Sequence, residues 1–492
     1  MIAACNSTKY VTDSEQLLMT NKIFVDGKKN KNSDLNNFLL QHPNSRTLGA
    51  PISLYFHNLG KLSYPKSPKK WAEEHPKKYN FFKTLFSEKQ AIGFAKTQIN
   101  TNNWFLTSGE APTIIDDLKT KKTVENLKAY YMTQGYFKNK ISAKKDSLKY
   151  KKGQITYFIT KGNPLFLDTI SNNIPSTILD SIYNTAASKT YLKSGDQYLD
   201  ANFRKEAERI TKLYRNAGLY HFTGSEDDMY FDVDTTRVDS KTNVKLNISE
   251  NYLVEKNGIY TSKPFAINKI GRVNVYTDYV YSKKDEPFLD TISSNGIRFI
   301  AHKKVKYSPK YLSQSIFIKP NEIYSDTLRN LTRNHLKTLK NFKTVNIQYS
   351  SIENSDNLEV NIFLTPIEKY TIGAETELTH SNLRKLGVSA KFSIINRNAF
   401  KGAELLKFSF LGSFFNTSTE TDNSAGFFNA WEIGADLSVE IPRFVAPFGL
   451  NKLVNKRMSP RTLFSVGTGI QKNIGLDKQT INASVDYNWN FN

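Results

Sequence analysis

The segment WEIGADLSVEI, residues 431–441, alternates strictly between two kinds of side chain. Apolar residues at positions 431, 433, 435, 437, 439 and 441 are separated by small or acidic residues at the positions between them. A period of two places these two sets on opposite faces of a β-strand. The length also matches the roughly 9–11 residues with which a tilted strand crosses a bilayer. The segment therefore predicts a membrane-crossing strand with one apolar face.

Five further segments after Pro366 carry the same alternation. They lie at residues 370–379, 386–394, 406–414, 464–470 and 480–491. Alternation over about six strands favours an antiparallel transmembrane β-barrel, although a soluble antiparallel sheet gives a similar pattern and stays open as an alternative. Because a membrane barrel needs about eight strands or more, the barrel is expected to be incomplete. The chain is expected to be truncated at Asn492 or to pair with another chain.

The charge distribution divides the chain a little earlier, after residue 350. The net charge of +22 comes entirely from residues 1–350, which carry 54 Lys and Arg against 32 Asp and Glu. Residues 351–492 carry 14 of each sign. A Lys-rich solvated surface explains such an excess, and proximity to anionic headgroups is the alternative. Lys predominates over Arg and no nucleic-acid-binding motif occurs, so nucleic acid is not expected as a partner.

The middle of the chain contains a loose repeat. A shift of 83 residues pairs Asp117 with Asp200 and Gly135 with Gly218, and a shift of 126 pairs Asp200 with Asp326. Each copy predicts a helix that the Asp caps and, in the first two, the Gly ends, followed by two antiparallel strands and preceded by another strand and helix. Opening strands are predicted at 166–170 and 267–270, and the alternating strands are predicted at 154–160, 244–248 and 358–364.

The chemistry-bearing residues point away from catalysis. The seven His are scattered, and no phosphate-binding loop occurs. A single Cys excludes an internal disulfide. We therefore expect no enzyme activity, no cofactor and no catalytic or metal site.

The beginning of the chain reads Ile2-Ala3-Ala4-Cys5, which looks like a bacterial lipobox. A chance Cys near the terminus is the alternative, since the charged and apolar regions of a signal peptide do not precede it. Cys5 is accordingly the candidate lipidation site.

Several motifs resemble one family in their order along the chain. They are Cys5–Val11, Leu40–Asn44, Tyr55–Gly60, Gly109–Pro112, the NRNAFKGAE stretch at 396–404 and Pro442–Phe444. Together with the repeats they resemble the outer-membrane assembly and translocation proteins (bacterial surface antigen family, BamA/TamA-like). The resemblance is to the lipoprotein branch of Bacteroidetes, the translocation and assembly module lipoprotein TamL. The resemblance implies a barrel of about sixteen strands, of which roughly the last ten, with the inward loop and the closing strand, are expected to be absent from this sequence.

The resemblance implies a fold of α+β POTRA-like repeats followed by an incomplete antiparallel transmembrane β-barrel. The implied domains are 1–112 (POTRA-like with the lipobox), 113–163 (second half of a unit), 164–252, 263–366 (with an insertion) and 367–492 (barrel strands).

The resemblance also implies a function. The chain would sit in the outer membrane of a Gram-negative bacterium, with the repeats in the periplasm, and would insert nascent outer-membrane proteins. Further implied partners are membrane lipid and an inner-membrane TamB-like protein. The first barrel strand would offer its edge to client strands, and Ile155–Thr160 is expected to be a second such edge. The client-edge residues are Tyr370, Ile372, Ala374, Thr376 and Leu378. A two-partner-type secretion pore and a soluble basic binding module are the alternative functions.

Overall fold

The computed structural model describes residues 7–30, 33–235, 239–256, 259–353, 355–380, 386–416, 428–447, 454–473 and 476–490. The chain forms two compact units. The first comprises Met1–Asn173, Lys189–Ala207 and Phe231–Asn247, and the second comprises Ile174–Ser188, Glu208–Tyr230 and Ile248–Asn492. Helix α7, described below, contributes residues to both.

The first sheet joins strands that lie far apart in sequence. Its order is β2-β1-β4-β3, with β1 and β4 parallel and β3 and β4 antiparallel. The strands are β1 (Leu17–Val25), β2 (Lys28–Lys29), β3 (Lys140–Leu148) and β4 (Lys152–Thr160). The sheet therefore spans the domain boundary predicted at residue 112. The expectation that Ile155–Thr160 is a free edge is wrong, because β4 is paired on both sides. Its parallel partner β1 comes from more than 100 residues earlier, and a local pattern cannot reveal such a pairing.

A helical segment separates β1 and β2 from β3 and β4 in the sequence. Trp71 is buried there against Ala95 and Ile99, and its indole Nε1 donates to the Tyr64 hydroxyl at 2.8 Å. The helices are α1 (Ile52–Leu59), α2 (Pro68–Glu74), α3 (Pro76–Leu85) and α4 (Glu88–Ser108).

Helix α5 (Asp117–Thr133) packs Leu127 and Tyr131 into one buried cluster with Ile155 of β4. The side chain of Asp116 caps this helix, accepting from Leu118 N at 2.8 Å and Lys119 N at 3.1 Å. The prediction that Asp117 is the cap is therefore wrong by one residue. The capping residue keeps an extended backbone outside the helix, and Asp117 is the first helical residue.

The second α+β unit repeats this arrangement. Its sheet has the order β5-β7-β6, and β5 pairs with β7 in parallel. Gly218, which follows its second helix, has φ +107°, a left-handed conformation that few other residues adopt. The elements are β5 (Phe166–Asn173), α6 (Thr177–Asn184), α7 (Asp200–Asn216), β6 (Met229–Val233) and β7 (Lys241–Ile248), followed by the hairpin β8 (Asn251–Lys256) and β9 (Ile259–Pro264).

The third α+β unit has a five-stranded sheet of order β11-β12-β10-β14-β13. Strand β10 again pairs in parallel with β14. Helix α9 (Asp326–Thr338) is capped by Ser325, the residue before Asp326, and not by Asp326 itself. The elements are β10 (Lys269–Tyr276), β11 (Asp290–Ser294), β12 (Ile297–Ala301), α8 (Pro309–Leu312), α9 (Asp326–Thr338), β13 (Phe342–Ser351) and β14 (Asn357–Pro366). All three repeat helices, α5, α7 and α9, begin at the aligned Asp, which confirms the repeat.

The remaining described residues form an antiparallel sheet in which sequential strands are neighbours. The strands are β15 (Tyr370–Thr379), β16 (Leu386–Arg397), β17 (Leu405–Asn416), β18 (Ala430–Ile441), β19 (Arg461–Asn473) and β20 (Leu476–Asn488). All six predicted strands are present. The last ends at Asn488, before Trp489, and Phe491 lies outside the described residues. The predicted fold class, α+β repeats followed by an antiparallel sheet of barrel type, is confirmed.

Candidate functional site: the edge of strand β15 and its base

Strand β15 carries the residues predicted to receive a client strand. Tyr370, Ile372, Ala374, Thr376 and Leu378 all lie on β15 and all are exposed, Ile372 by 66% and Leu378 by 77%. Within the described residues, β15 pairs with β16 and with no other strand. Its second edge therefore presents backbone donors and acceptors that no described strand uses.

The register shows which residues supply those backbone groups. Arg397 N donates to Lys369 O at 2.8 Å, so the carbonyl of Lys369 points toward β16. In an antiparallel pair, backbone groups of alternate residues point to opposite edges of a strand. The odd-numbered residues 371, 373, 375 and 377 accordingly bond to β16. Tyr370, Ile372, Ala374, Thr376 and Leu378 direct their N–H and C=O groups to the free edge.

One face of the six-stranded sheet is a continuous apolar surface. The register aligns rows of apolar side chains across all six strands. Many of these apolar side chains are exposed. Exposure of large apolar groups to water is unfavourable, so a surface of this kind indicates a site that contacts another apolar surface. One row is Ile372, Ile394, Phe408, Leu437, Val466 and Ala483, and the next is Ala374, Phe392, Phe410, Ala435, Thr468 and Ile481.

The opposite face is small and polar. The row between the two apolar rows runs through Gly373, Ser393, Ser409, Asp436, Gly467 and Asn482. On the same face Ser465 Oγ lies 2.7 Å from Ser484 Oγ. The two faces therefore suit an apolar and an aqueous surrounding respectively.

The base of β15 is held by Arg397, the last residue of β16. Its guanidinium donates to Thr371 Oγ1 at 2.6 Å, to the Glu368 carbonyl at 3.1 Å and to the Lys340 carbonyl at 3.2 Å. Because these acceptors lie on β15, on the segment before it and after helix α9, one side chain fixes the start of the edge strand to the third α+β unit.

A second group of contacts ties the same unit to the β16–β17 turn and β18. Arg443 Nη2 donates to Glu404 Oε1 at 2.9 Å, and Glu404 is only 2% exposed. The Arg443 guanidinium also lies over the Tyr311 ring of α8, 4.0 Å from its centroid. Asn341 Nδ2 donates to the Ala403 carbonyl at 2.8 Å. A charge buried this deeply is tolerated because it is paired.

Two of the motifs that carried the family resemblance thus meet in the structure. Residues 396–404 end β16 and form the turn between β16 and β17, and Arg443 belongs to the 442–444 motif. The Arg443–Glu404 pair itself was missed by sequence reasoning. A Glu in a turn and an Arg after a strand are common, and only the pairing of β17 with β18 brings them together.

A third contact involves the turn before β19. His335 of α9 is buried, with Nε2 3.2 Å from the Arg457 carbonyl and 3.0 Å from Ser459 Oγ. A carbonyl only accepts, so Nε2 carries the hydrogen. Burial lowers the pKa of His335 below its usual 6.5, an effect that the Arg457 hydrogen bond opposes and nearby Lys456 reinforces.

The structure also bears on the predicted lipidation site, on metal binding and on helical membrane spans. Cys5 and the lipobox lie outside the described residues. Among the described residues, no group of three or more His, Cys, Asp or Glu could hold a metal ion. No described helix combines the length and apolar character that a membrane span requires.

Comparison with solved structures finds matches at low sequence identity and low TM-score. POTRA domains 3–5 of BamA from Haemophilus influenzae match with 14% identity and a TM-score of 0.27, over 51% of this chain and 81% of that one. BamA from Haemophilus ducreyi lacking POTRA domains 1–3 matches with 11% identity and a TM-score of 0.33, over 67% and 59%. CdiB from Acinetobacter baumannii matches with 10% identity and a TM-score of 0.26, over 65% and 57%.

The chain thus spans less than two thirds of the length of the latter two proteins. No protein-family model and no curated protein matches it. The architecture described above rests on the strand pairing of this chain itself.

Proposed function

We propose that this chain acts in the assembly of outer-membrane proteins, with the free edge of β15 as the site that receives a client strand. The observation that carries the proposal is the combination of an unpaired edge with a continuous exposed apolar face on the same sheet. A sheet in lipid must satisfy its backbone groups by pairing. A client strand added at β15 would pair with the backbone N–H and C=O groups of the five even-numbered residues from 370 to 378.

The chemistry of this step is backbone hydrogen bonding. Edge pairing uses N–H and C=O groups that every client possesses, so it tolerates different client sequences. Arg397 holds the first residues of β15 in place, which lowers the conformational entropy that β15 loses when a client strand pairs with it. The α+β units supply other edges, such as β3 and β13, where extended client segments can pair before insertion.

The finer parts of the proposal follow the family resemblance. We place the six-stranded sheet in the outer membrane and the basic α+β units in the periplasm. Cys5 would be lipidated and would anchor the N-terminal POTRA-like region to a membrane. A TamB-like inner-membrane protein would be the partner. Mass spectrometry of the membrane-extracted protein tests the anchor directly, since an unmodified Cys5 would contradict it.

Two pairs of proline substitutions test the edge. Ile372→Pro/Ala374→Pro removes donors that point to the free edge, whereas Gly373→Pro/Glu375→Pro removes donors that bond to β16. Proline is tolerated on an edge strand when its missing N–H faces away from the ladder. We expect the first pair to leave the sheet folded and to abolish client insertion into proteoliposomes. The second pair is expected to destabilise β15–β16 itself.

Normal client insertion by a folded Ile372→Pro/Ala374→Pro variant would contradict the proposal. Recovery of the unmodified chain wholly in the soluble fraction of cells would favour the soluble binding module instead.

A further inference from the structure

A basic cavity lies at the base of β15, outside the edge itself. It encloses about 480 Å³ between the segment 304–307, the segment 366–369 and the turn after β16. Five of its lining residues are cationic: Lys304, Lys306, Lys369, Arg397 and Lys401.

The cationic residues outnumber the acidic ones that could neutralise them. Asp278 and Glu368 are the acidic residues of the lining. Asp278 already accepts from the backbone N–H of His302 at 3.0 Å, and its Oδ1 lies 3.1 Å from His302 Nδ1. The cavity therefore carries a net positive charge in a concave surface, which concentrates the potential experienced by an anion.

The frame that holds these cations is fixed by backbone contacts. The carbonyl of Lys306 accepts from Asn398 Nδ2 at 2.9 Å, and the carbonyl of Lys401 accepts from Ser308 N at 2.6 Å. The carbonyl of Lys369 accepts from Arg397 N at 2.8 Å. Three of the five cationic residues are thus tied to another wall of the cavity through their carbonyl groups, and these backbone contacts do not engage their ammonium groups.

Two aromatic residues adjoin lining residues of the cavity in sequence, Tyr370 after Lys369 and Phe400 before Lys401. Tyr370 and Phe400 are exposed, and the Lys369 ammonium lies over the Tyr370 ring, 5.3 Å from its centroid. Tyr370 is the first residue of β15, and Phe400 lies in the turn between β16 and β17. Both aromatic residues therefore lie at the same end of the six-stranded sheet. Aromatic side chains next to Lys are typical of the boundary between hydrocarbon and water, where long cationic side chains reach the headgroups.

We propose that this cavity binds the phosphate of an anionic phospholipid headgroup at the foot of the client-receiving strand. The proposal rests on the proposed function in one respect, that the six-stranded sheet lies in a membrane. A bound headgroup would place its acyl chains beside the apolar face of β15. The free edge would then be bordered by lipid that an arriving client strand has to displace.

Native mass spectrometry of the full chain in neutral detergent tests this site. Phosphatidylglycerol and phosphatidylcholine are each added at equal concentration, with inorganic phosphate in a separate competition. The variant Lys306→Gln/Lys401→Gln removes two cations of the lining. The control Lys472→Gln/Lys478→Gln removes two from the β19–β20 hairpin at the opposite end of the sheet. We expect the affinity for phosphatidylglycerol to fall roughly tenfold or more in the first variant, with little change in the control.

Three outcomes would overturn the site. They are equal phosphatidylglycerol binding in both variants, equally tight binding of phosphatidylcholine to the unmodified chain, and full displacement of the lipid by an equal concentration of inorganic phosphate. Client insertion is not part of this readout, so loss of the proposed edge function leaves the lipid result interpretable. Normal folding of the variant is checked by hydrogen exchange of β15–β16.

Discussion

Strands β13–β14 and strands β15–β20 share one sequence pattern and differ in what covers it. In β14, Leu358, Val360, Ile362 and Leu364 alternate with other residues, and all four are fully buried in a cluster that includes Leu336 of helix α9. In β19 and β20 the same alternation leaves Val466 and Ile481 largely exposed. A period of two therefore predicts a two-faced strand but not whether protein or lipid covers the apolar face. The change of net charge after residue 350 does not supply that second piece of information, because β14 already lies in the neutral part of the chain.

The largest expected effect concerns the joint between these two regions. Arg443→Met leaves the buried carboxylate of Glu404 without its cationic partner, which costs about 3–5 kcal/mol. Backbone amides of the turn 398–404 should then exchange hydrogen roughly a hundredfold to a few thousandfold faster. Lys472→Met, which affects an exposed pair with Asp477 at 4.0 Å, serves as the control. Unchanged exchange in the Arg443→Met variant would show that this pair does not hold the joint.

The next effect compares the same deletion of a methyl group in the two regions. Ile362→Val removes packing from the closed core of the third α+β unit and should cost about 0.5–1.5 kcal/mol. Ile481→Val acts at a position that is 83% exposed on the sheet, where no cavity can form. Chemical denaturation in detergent, followed by hydrogen exchange of β14 and β20, measures both. Equal costs would mean that another part of the protein covers Ile481.

The smallest effect is a pH dependence at the α9 contact. Because burial holds the folded pKa of His335 below the unfolded value of about 6.5, the unfolded chain binds the proton more readily. The contribution of His335 to stability is therefore present above about pH 6.5 and is lost as the pH falls toward the folded pKa. The intrinsic rate of amide exchange falls as the pH falls. Relative to that intrinsic rate, the protection of the amides in the turn 455–459 should decrease from pH 7 to pH 5. The same pH dependence in His335→Gln would assign it to another group.

Local patterns were sufficient for the six-stranded sheet and for the three repeat helices. The six alternating segments gave the sheet because each strand pairs with its neighbour in sequence, and the aligned Asp residues marked the first residues of α5, α7 and α9. Pairing across long separations was not predictable. The parallel contact of β1 with β4 spans the helices α1–α4, and it turned the expected edge Ile155–Thr160 into a central strand.

The candidate site was predictable to the same extent. The position of Tyr370 to Leu378 on β15 was predictable because they form the first alternating strand, and their role as a client edge stays a prediction. The cavity beside them depends on Lys306, Lys369 and Lys401, which lie in three segments that only the tertiary structure brings together. Single lysines in a chain with 68 Lys and Arg residues carry no distinguishing signal.

The central claim is that one face of the six-stranded sheet contacts lipid. Spin labels on single cysteines at Val466 and Ser465, in a Cys5→Ser background, report on the two faces of β19 in proteoliposomes. We expect the label at 466 to collide preferentially with oxygen, which concentrates in the hydrocarbon, and the label at 465 with a water-soluble nickel complex. Greater accessibility of both labels to the nickel complex would contradict the membrane placement of this sheet.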